Sequence, residues 1–305
     1  MPISVIIPSW NAGKLLVDAV GSLDGDAAIG EIVVVDNAST DGSIDRLDGL
    51  DPARLRIIHN DYNMGAARAR NVGVGAARYD LIAFLDADDM LSPGALGNAA
   101  ARAAAEDLDM CVLQMVSLFA DGRTAPFVPP LNGIISGEEA FRRTLAGWKI
   151  HPMGVMRRGV YDRAMTGFAF HGHSDDELIT RRLFLAASRV GGITDRYLYR
   201  ANSKPPTVER LVGQVNTELA VLQLAIERRS ITTEHQLRRT RNYTIGWLFG
   251  LWKHLRKNRE DPMVAAPLLR QVWRLDIGWR PADGRYLLAL AAMRASLPLL
   301  RWRKR

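Results

Sequence analysis

Four short apolar runs within the first 85 residues, each followed by a stretch of helical character, restrict this chain more than any other feature. Ser4–Ile7 reads as a buried strand and Gly13–Leu23 as the helix after it. Glu31–Val35 is a second strand, with a short helix beyond Asp41. Leu55–Ile58 and Leu81–Leu85 are the third and fourth. They are followed by a small-residue helix over Gly65–Ala77 and an alanine-rich helix over Pro93–Ala105, opened by Ser92 and Pro93. Short apolar strands alternating with helices pack as an α/β layer around a mostly parallel sheet. Such sheets bind ligands at the carboxyl ends of their strands, so the residues just after each run carry the most information.

Beyond residue 105 the pattern loosens. Met110–Phe119 reads as a strand and Asp121–Gly122 as a turn. Ser136 and Glu139 have capping-box spacing at the head of a helix running to Leu145. A strand over His151–Met156, a helix over Asp175–Ser188 and a short strand over Tyr197–Arg200 follow, and from Pro206 the periodicity is helical.

The chain has 305 residues, 48% hydrophobic and 24% charged, enough apolar material for a core and too little charge for a disordered chain. Its net charge of +7 is unevenly spread. Residues 1–200 hold 20 Lys/Arg against 25 Asp/Glu, and residues 201–305 hold 20 against 8, giving −5 and +12. A basic tail on an acidic body points to an anionic partner for the tail. Cys111 is the single cysteine; no intramolecular disulfide can form, which fits a reducing compartment, and its apolar surroundings predict packing rather than reaction. The apolar run Ile3–Ile7 is too short for a signal peptide, and no stretch has the ~18 uninterrupted apolar residues of a spanning helix.

Three strand ends are polar: Pro8-Ser9-Trp10-Asn11, then Asp36-Asn37-Ala38-Ser39-Thr40-Asp41-Gly42, then Asp86-Ala87-Asp88-Asp89. Trp10 offers a flat face for a base, and Asp36 an acceptor for a base or ribose. Alternate carboxylates at Asp86 and Asp88 can share one Mg²⁺ or Mn²⁺ with substrate phosphates. An isolated Asp-x-Asp is more often a solvated turn; here it follows a buried strand. Arg70, with Arg68 and Asn71 beside it, could meet a phosphate with a bidentate guanidinium, or lie on a helix surface.

Together with Asn63-Met64-Gly65 and Ala69-Arg70-Asn71-Val72-Gly73, these blocks follow one another in an order that closely resembles the family 2 glycosyltransferases of the GT-A fold. The resemblance is strong over residues 1–95 and thinner to about 203. It implies inverting transfer from a nucleotide diphosphate sugar, a UDP-sugar first among candidates, to a saccharide or lipid-linked saccharide acceptor in polysaccharide or glycolipid assembly. It assigns Pro8, Trp10, Asn11, Asp36, Ser39, Arg70 and Asp86 to the nucleotide sugar. Asp86 and Asp88 would hold the divalent metal (Mg or Mn). Of the acidic pair Asp175-Asp176, Asp176 would be the base, with Asp175 the less favoured choice. Two helix-opening acids favoured by the dipole are the alternative. Residues 1–204 would form the GT-A catalytic domain, with 1–95 on the nucleotide-sugar side and 96–204 carrying the acceptor side and base. Residues 205–305 would be a basic, mainly helical extension.

Departures are informative. Trp10 stands where the family usually has tyrosine, and Asn37 where many members carry a second aspartate. Asn202, after Tyr197-Leu198-Tyr199-Arg200, replaces a frequent histidine and leaves a third metal ligand open. His171 and His173 could touch acceptor or diphosphate, or be ordinary loop residues. A dinucleotide dehydrogenase would need a glycine-rich turn after the first strand, and a nucleotidyltransferase a glycine-rich loop with a basic residue; neither is present. An inactive nucleotide-sugar-binding scaffold is the non-enzymatic alternative. No nucleic-acid motif accompanies the basic tail.

In that tail Thr244, Trp247, Leu248, Leu251, Trp252 and Leu255 have helical spacing amid Arg238, Arg239, Arg241, Lys253, Arg256 and Lys257. Tyr286–Leu300 is apolar but broken by Arg294 and Pro298, before Trp302 and the final basic residues. The pattern fits peripheral attachment to an anionic membrane on the cytoplasmic face, or a helical cap packed on the chain or on a second copy.

Overall fold

The computed structural model describes residues 1–47, 53–170, 175–200, 207–274 and 293. These fall into two compact units. The first comprises Met1–Thr144, Trp148–Phe170 and Ile179–Ser203; the second comprises Leu145–Gly147, His171–Leu178 and Lys204–Arg305.

The first unit is an α/β layer. It opens with β1 (Ile3–Ser9), α1 (Lys14–Gly21), β2 (Ile29–Asp36), a 3-10 turn at Asp45–Leu47, β3 (Leu55–His59), α2 (Ala66–Ala76) and β4 (Leu81–Phe84). It continues with β5 (Met90–Leu91), α3 (Ala95–Ala105), β6 (Met110–Leu118), β7 (Thr124–Pro126), β8 (Ile134–Ile135) and α4 (Gly137–Thr144). β9 (Gly154–Arg157), α5 (Arg158–Met165), α6 (Asp175–Ala186) and β10 (Val190–Arg200) follow, the first turn of α6 belonging to the second unit.

The ten strands form one sheet of order β3-β2-β1-β4-β9-β6-β10-β5, with β7 on β6 and β8 on β10. β3, β2, β1, β4, β6 and β10 run in one direction, and β9 and the short strands run against them. This is the mostly parallel α/β sheet that the alternation of apolar runs predicts. Every residue of β1 and β4 is buried, as continuous apolar runs covered on both faces require. α2 lies close on this sheet: a Cβ at Gly73 would come within 2.3 Å of Ile6 Cγ2, so only glycine permits the approach. Cys111 is buried in β6, and burial pushes its thiol up to about 11.

Several boundaries move. The strand expected over His151–Met156 begins only at Gly154, after Pro152, which has no N–H to give a ladder. The strand expected from Tyr197 starts at Val190 and changes register between Gly192 and Arg196. At α4, Ser136 Oγ accepts from the Glu139 N–H at 3.2 Å. The Glu139 carboxylate does not reach back, being engaged by Arg142 and Arg143. A full capping box occurs instead at Thr233 and Gln236.

The second unit contains α7 (Val208–Glu227), α8 (Glu234–Lys257), a 3-10 turn at Pro262–Ala265 and α9 (Ala266–Arg274). Leu248, Leu251, Trp252 and Leu255 of α8 pack with Leu211, Val215, Leu268 and Leu269 in its core. The apolar stripe of α8 is therefore used for helix packing: Trp252 is 8% exposed and Leu255 fully buried. Among the described residues, no helix is long and apolar enough to cross a membrane. His171, His173, Asn202, Trp302 and the Tyr286–Leu300 segment except Met293 lie outside the described residues.

Candidate active site

The sheet order β2-β1-β4 brings three polar strand ends side by side. Ser9 is in register with Asp36, and Ile6 with Phe84. The two loops after β1 and β2 are stitched together. The Asn11 N–H donates to Ser39 Oγ (3.0 Å), and the Thr40 N–H returns a bond to Asn11 Oδ1 (2.8 Å). The Gly13 N–H donates to Asp41 Oδ2 at 2.9 Å. Asn11 holds a left-handed φ of 49°, a conformation asparagine tolerates better than most residues. Pro8 is buried near the end of β1, while Trp10 is 56% exposed, leaving its indole face open to a ligand.

Asp36 is 5% exposed, and both its oxygens have protein partners. Oδ1 accepts from the Ser39 N–H at 3.0 Å, and Oδ2 lies 3.1 Å from His59 Nδ1. The carboxylate thus shapes the loop, and its remaining lone pairs are available as acceptors.

The acidic loop after β4 has two faces. Ala87 and Asp89 are buried; Asp86 and Asp88 are half-exposed. Arg70, from α2, reaches Asp86 with Nη2 2.5 Å from Oδ1, and its guanidinium lies 5.9 Å from the Phe84 ring centre. Behind the loop, the Asp86 N–H donates to Tyr197 Oη (3.1 Å), and Tyr197 Oη–H donates to Asp89 Oδ2 (2.8 Å). Arg200 completes the clamp: its N–H donates to Asp89 Oδ1 (2.7 Å) and its Nε to the Asp88 carbonyl (2.9 Å). Burial, then the charges of Asp86 and Asp88, push the Asp89 carboxyl up to about 7, against the hydrogen bonds from Arg200 and Tyr197. Burial also raises the Tyr197 phenol well above its usual range.

Among the described residues, no three His, Cys, Asp or Glu are grouped to hold a metal ion. The two half-exposed carboxylates, Asp86 and Asp88, are the pair that could share one, and a two-carboxylate set fits Mg²⁺ or Mn²⁺ completed by phosphates and water. His151 was not legible as a site residue. Its Nδ1 is covered and has no hydrogen-bond partner among the described residues. Burial lowers its pKa to about 3, the field of Asp86 raising it and those of Arg70 and Arg181 lowering it further, so the ring is neutral. It packs 4.8 Å from Trp148, whose ring carries the buried Arg181 guanidinium at 4.1 Å. Asp175 and Asp176 open α6, where acids suit the helix dipole, and Asp175 is buried.

A family model for glycosyl transferase family 2 matches residues 4–164. The chain belongs to glycosyltransferase family 2. Glycosyltransferase GlyG of Streptococcus pneumoniae is 26% identical over 216 residues, spanning 66% of this chain and 71% of GlyG. Succinoglycan biosynthesis protein ExoO of Rhizobium meliloti is 36% identical over 125 residues, 40% of this chain and 35% of ExoO. The family 2 fold extends to solved structures. A crystal structure of Staphylococcus aureus TarS 1–349 superposes with a TM-score of 0.63 at 19% identity, covering 97% of this chain and 92% of that one. The same fragment in complex with UDP-GlcNAc gives 0.60 at 17% identity, again covering 97% and 92%. The chain therefore has the GT-A fold. Full-length TarS, described as a poly(ribitol-phosphate) beta-N-acetylglucosaminyltransferase, is longer; the aligned part spans 36% of it.

Proposed function

We propose that this chain is a metal-dependent inverting glycosyltransferase. It transfers a sugar from a UDP-sugar to a hydroxyl of a saccharide or lipid-linked saccharide during polysaccharide or glycolipid assembly. The observation that supports this most is the convergence of Trp10, Asp36 and the Arg70–Asp86 pair at the adjacent ends of β1, β2 and β4. Residues 1–204 carry the transfer, with the nucleotide sugar held by Pro8, Trp10, Asn11, Asp36, Ser39, Arg70 and Asp86.

Trp10 stacks on the base, Asp36 accepts from base or ribose, and Arg70 turns to the diphosphate. Asp86 and Asp88 would hold a divalent ion, which when bound would supply positive charge to stabilise the diphosphate. Asp176, with Asp175 as its alternate, takes the proton of the acceptor hydroxyl as that oxygen bonds to the anomeric carbon. The bond to the diphosphate oxygen breaks with its electron pair, UDP leaves, and attack from the opposite face inverts the anomeric configuration.

The test is release and transfer of sugar from a panel of nucleotide sugars, with Mn²⁺ or Mg²⁺ and with excess chelator. Asp88→Asn should remove most turnover while the fold is kept. Full activity under chelator, or in Asp88→Asn, would overturn the metal assignment. Donor binding with no sugar released under any condition would favour the inactive scaffold. The net charge of +12 after residue 200 motivates peripheral attachment to an anionic membrane on the cytoplasmic side. Co-sedimentation with anionic vesicles at low salt, lost on deleting residues 285–305, is the expected result, and indifference to such vesicles would refute it.

A further inference from the structure

Helix α8 buries one face in the second unit's core and leaves the other differently equipped. His235, Arg238, Arg239, Asn242, Tyr243 and Trp247 recur at three- and four-residue spacing, so they share one side of the helix. With Ala146 they border a cleft of about 730 Å³, within the range of small-molecule sites.

Gly246 and Gly250 also line the cleft. A Cβ added at either would meet nothing within 4 Å, so the glycines are not required by packing. Each weakens the helix relative to alanine. What they achieve is an open floor of bare helix beneath the aromatic and basic side chains.

The walls have definite chemistry. Among the described residues, neither Arg238 nor Arg239 has a carboxylate or hydrogen-bond partner, and both guanidinium side chains border the cleft. Two adjacent free guanidinium groups suit a phosphate, which they can grip bidentately. Asn242 Oδ1 is engaged by the Arg241 guanidinium at 3.3 Å, which leaves the Asn242 amide N–H groups as donors. Tyr243 and Trp247 meet edge to face, ring centres 6.3 Å apart at 81°, and offer an apolar surface for the C–H face of a sugar ring. A membrane surface fits less well than a soluble anion, because Leu248, Leu251 and Leu255, which could enter a bilayer, are spent on the core.

We infer that this cleft binds a phosphate-bearing saccharide or polyol, with Arg238 and Arg239 on the phosphate and Tyr243 and Trp247 against the carbon skeleton. This binding goes beyond the glycosyltransferase reading above and does not depend on it.

The experiment measures binding of glucose 6-phosphate and a short polyol-phosphate oligomer to the full chain by calorimetry. Glucose, inorganic phosphate and phosphatidylglycerol vesicles serve as separate arms. Phosphorylated ligands should bind at least tenfold more tightly than glucose or phosphate alone, and more weakly as salt rises. Arg238→Ala with Arg239→Ala should lower that affinity at least tenfold. Gly246→Leu should do the same by filling the floor, at a position where the added side chain starts in open space, and melting curves check that both variants fold. Unchanged affinity in both folded variants would overturn the proposal. So would phosphate binding as well as the saccharide phosphates, or binding to vesicles alone, the latter assigning the face to membrane. Donor turnover is measured separately on the unaltered chain. Phosphosaccharide binding without turnover would sink the glycosyltransferase reading and leave the cleft standing; turnover without such binding would do the reverse.

Discussion

The Arg70 guanidinium and the Asp86 carboxylate meet at 2.5 Å, so the residue proposed for the diphosphate and a residue proposed for the metal neutralise each other. A diphosphate and a cation arriving together would exchange partners with this pair without leaving either charge bare. Arg70→Lys keeps the charge but loses the planar fork. Its affinity for a nucleoside diphosphate should fall about tenfold or more, since hydrogen bonds to charged groups contribute about 1.5–3 kcal/mol. Calorimetric titration with UDP and Mn²⁺ measures this, and wild-type affinity in Arg70→Lys would remove Arg70 from the phosphate.

The Tyr197 hydroxyl is the pin of the acidic loop, since it accepts from the Asp86 N–H and donates to Asp89. Tyr197→Phe would leave the part-buried Asp86 N–H and a buried Asp89 carboxylate oxygen each short of a partner. The expected cost is about 1–3 kcal/mol per group left unsatisfied, read from urea melts. Because the loop also carries Asp86 and Asp88, the Mn²⁺ concentration needed for a thermal shift with UDP should rise several-fold. A melt as stable as wild type with an unmoved Mn²⁺ midpoint would show that the hydroxyl positions nothing.

Asp176→Asn should separate binding from chemistry. If Asp176 removes the acceptor proton, the amide should cut transfer by about 10²-fold or more. Donor affinity should stay within a few-fold, because the proton transfer belongs to the transition state. The same measurement on Asp175→Asn decides which acid of the pair is the base. Loss of donor affinity with unchanged transfer at saturation would move Asp176 into the donor site.

How much of this could be read from the residues depended on separation along the chain. β1, β2 and β4 are mostly apolar runs, legible because both faces are covered, and the ends of parallel strands indicate where a ligand sits. β10 was only half legible: Gly191 and Gly192 interrupt its apolar pattern, and Asp195 and Arg196 alternate into it. β5, β7 and β8 have two or three residues each and carry no periodicity. Asp89 and Tyr197 are 108 residues apart, and no local pattern announces that bond. His151 sits in an irregular stretch before β9, where only the fold brings it into the fields of Asp86, Arg70 and Arg181. The stripe on α8 was legible as a helix face, but spacing cannot say whether such a face meets lipid or other helices, and packing decided that.

Cys111 offers a reporter of global opening. It is buried in β6, and burial pushes its thiol up to about 11 from an ordinary 9.0. At pH 8 that leaves roughly a hundredfold less thiolate than in an unfolded chain, before steric exclusion of the reagent is counted. A disulfide reagent should therefore leave the native protein unmodified at pH 8, and labelling should appear along the urea unfolding curve. The same shift has a signed consequence at high pH. The folded pKa lies above the unfolded one, so its contribution to stability is complete below pH 9 and is lost as pH rises from 9 through about 11. The slope is at most ~1.4 kcal/mol per pH unit for a single proton. Cys111→Ala has no group to titrate there, so its urea midpoint should fall less steeply than that of wild type between pH 9 and 11. Parallel decline of the two proteins, or rapid labelling of Cys111 in native buffer, would mean that this strand opens far more readily than its burial implies.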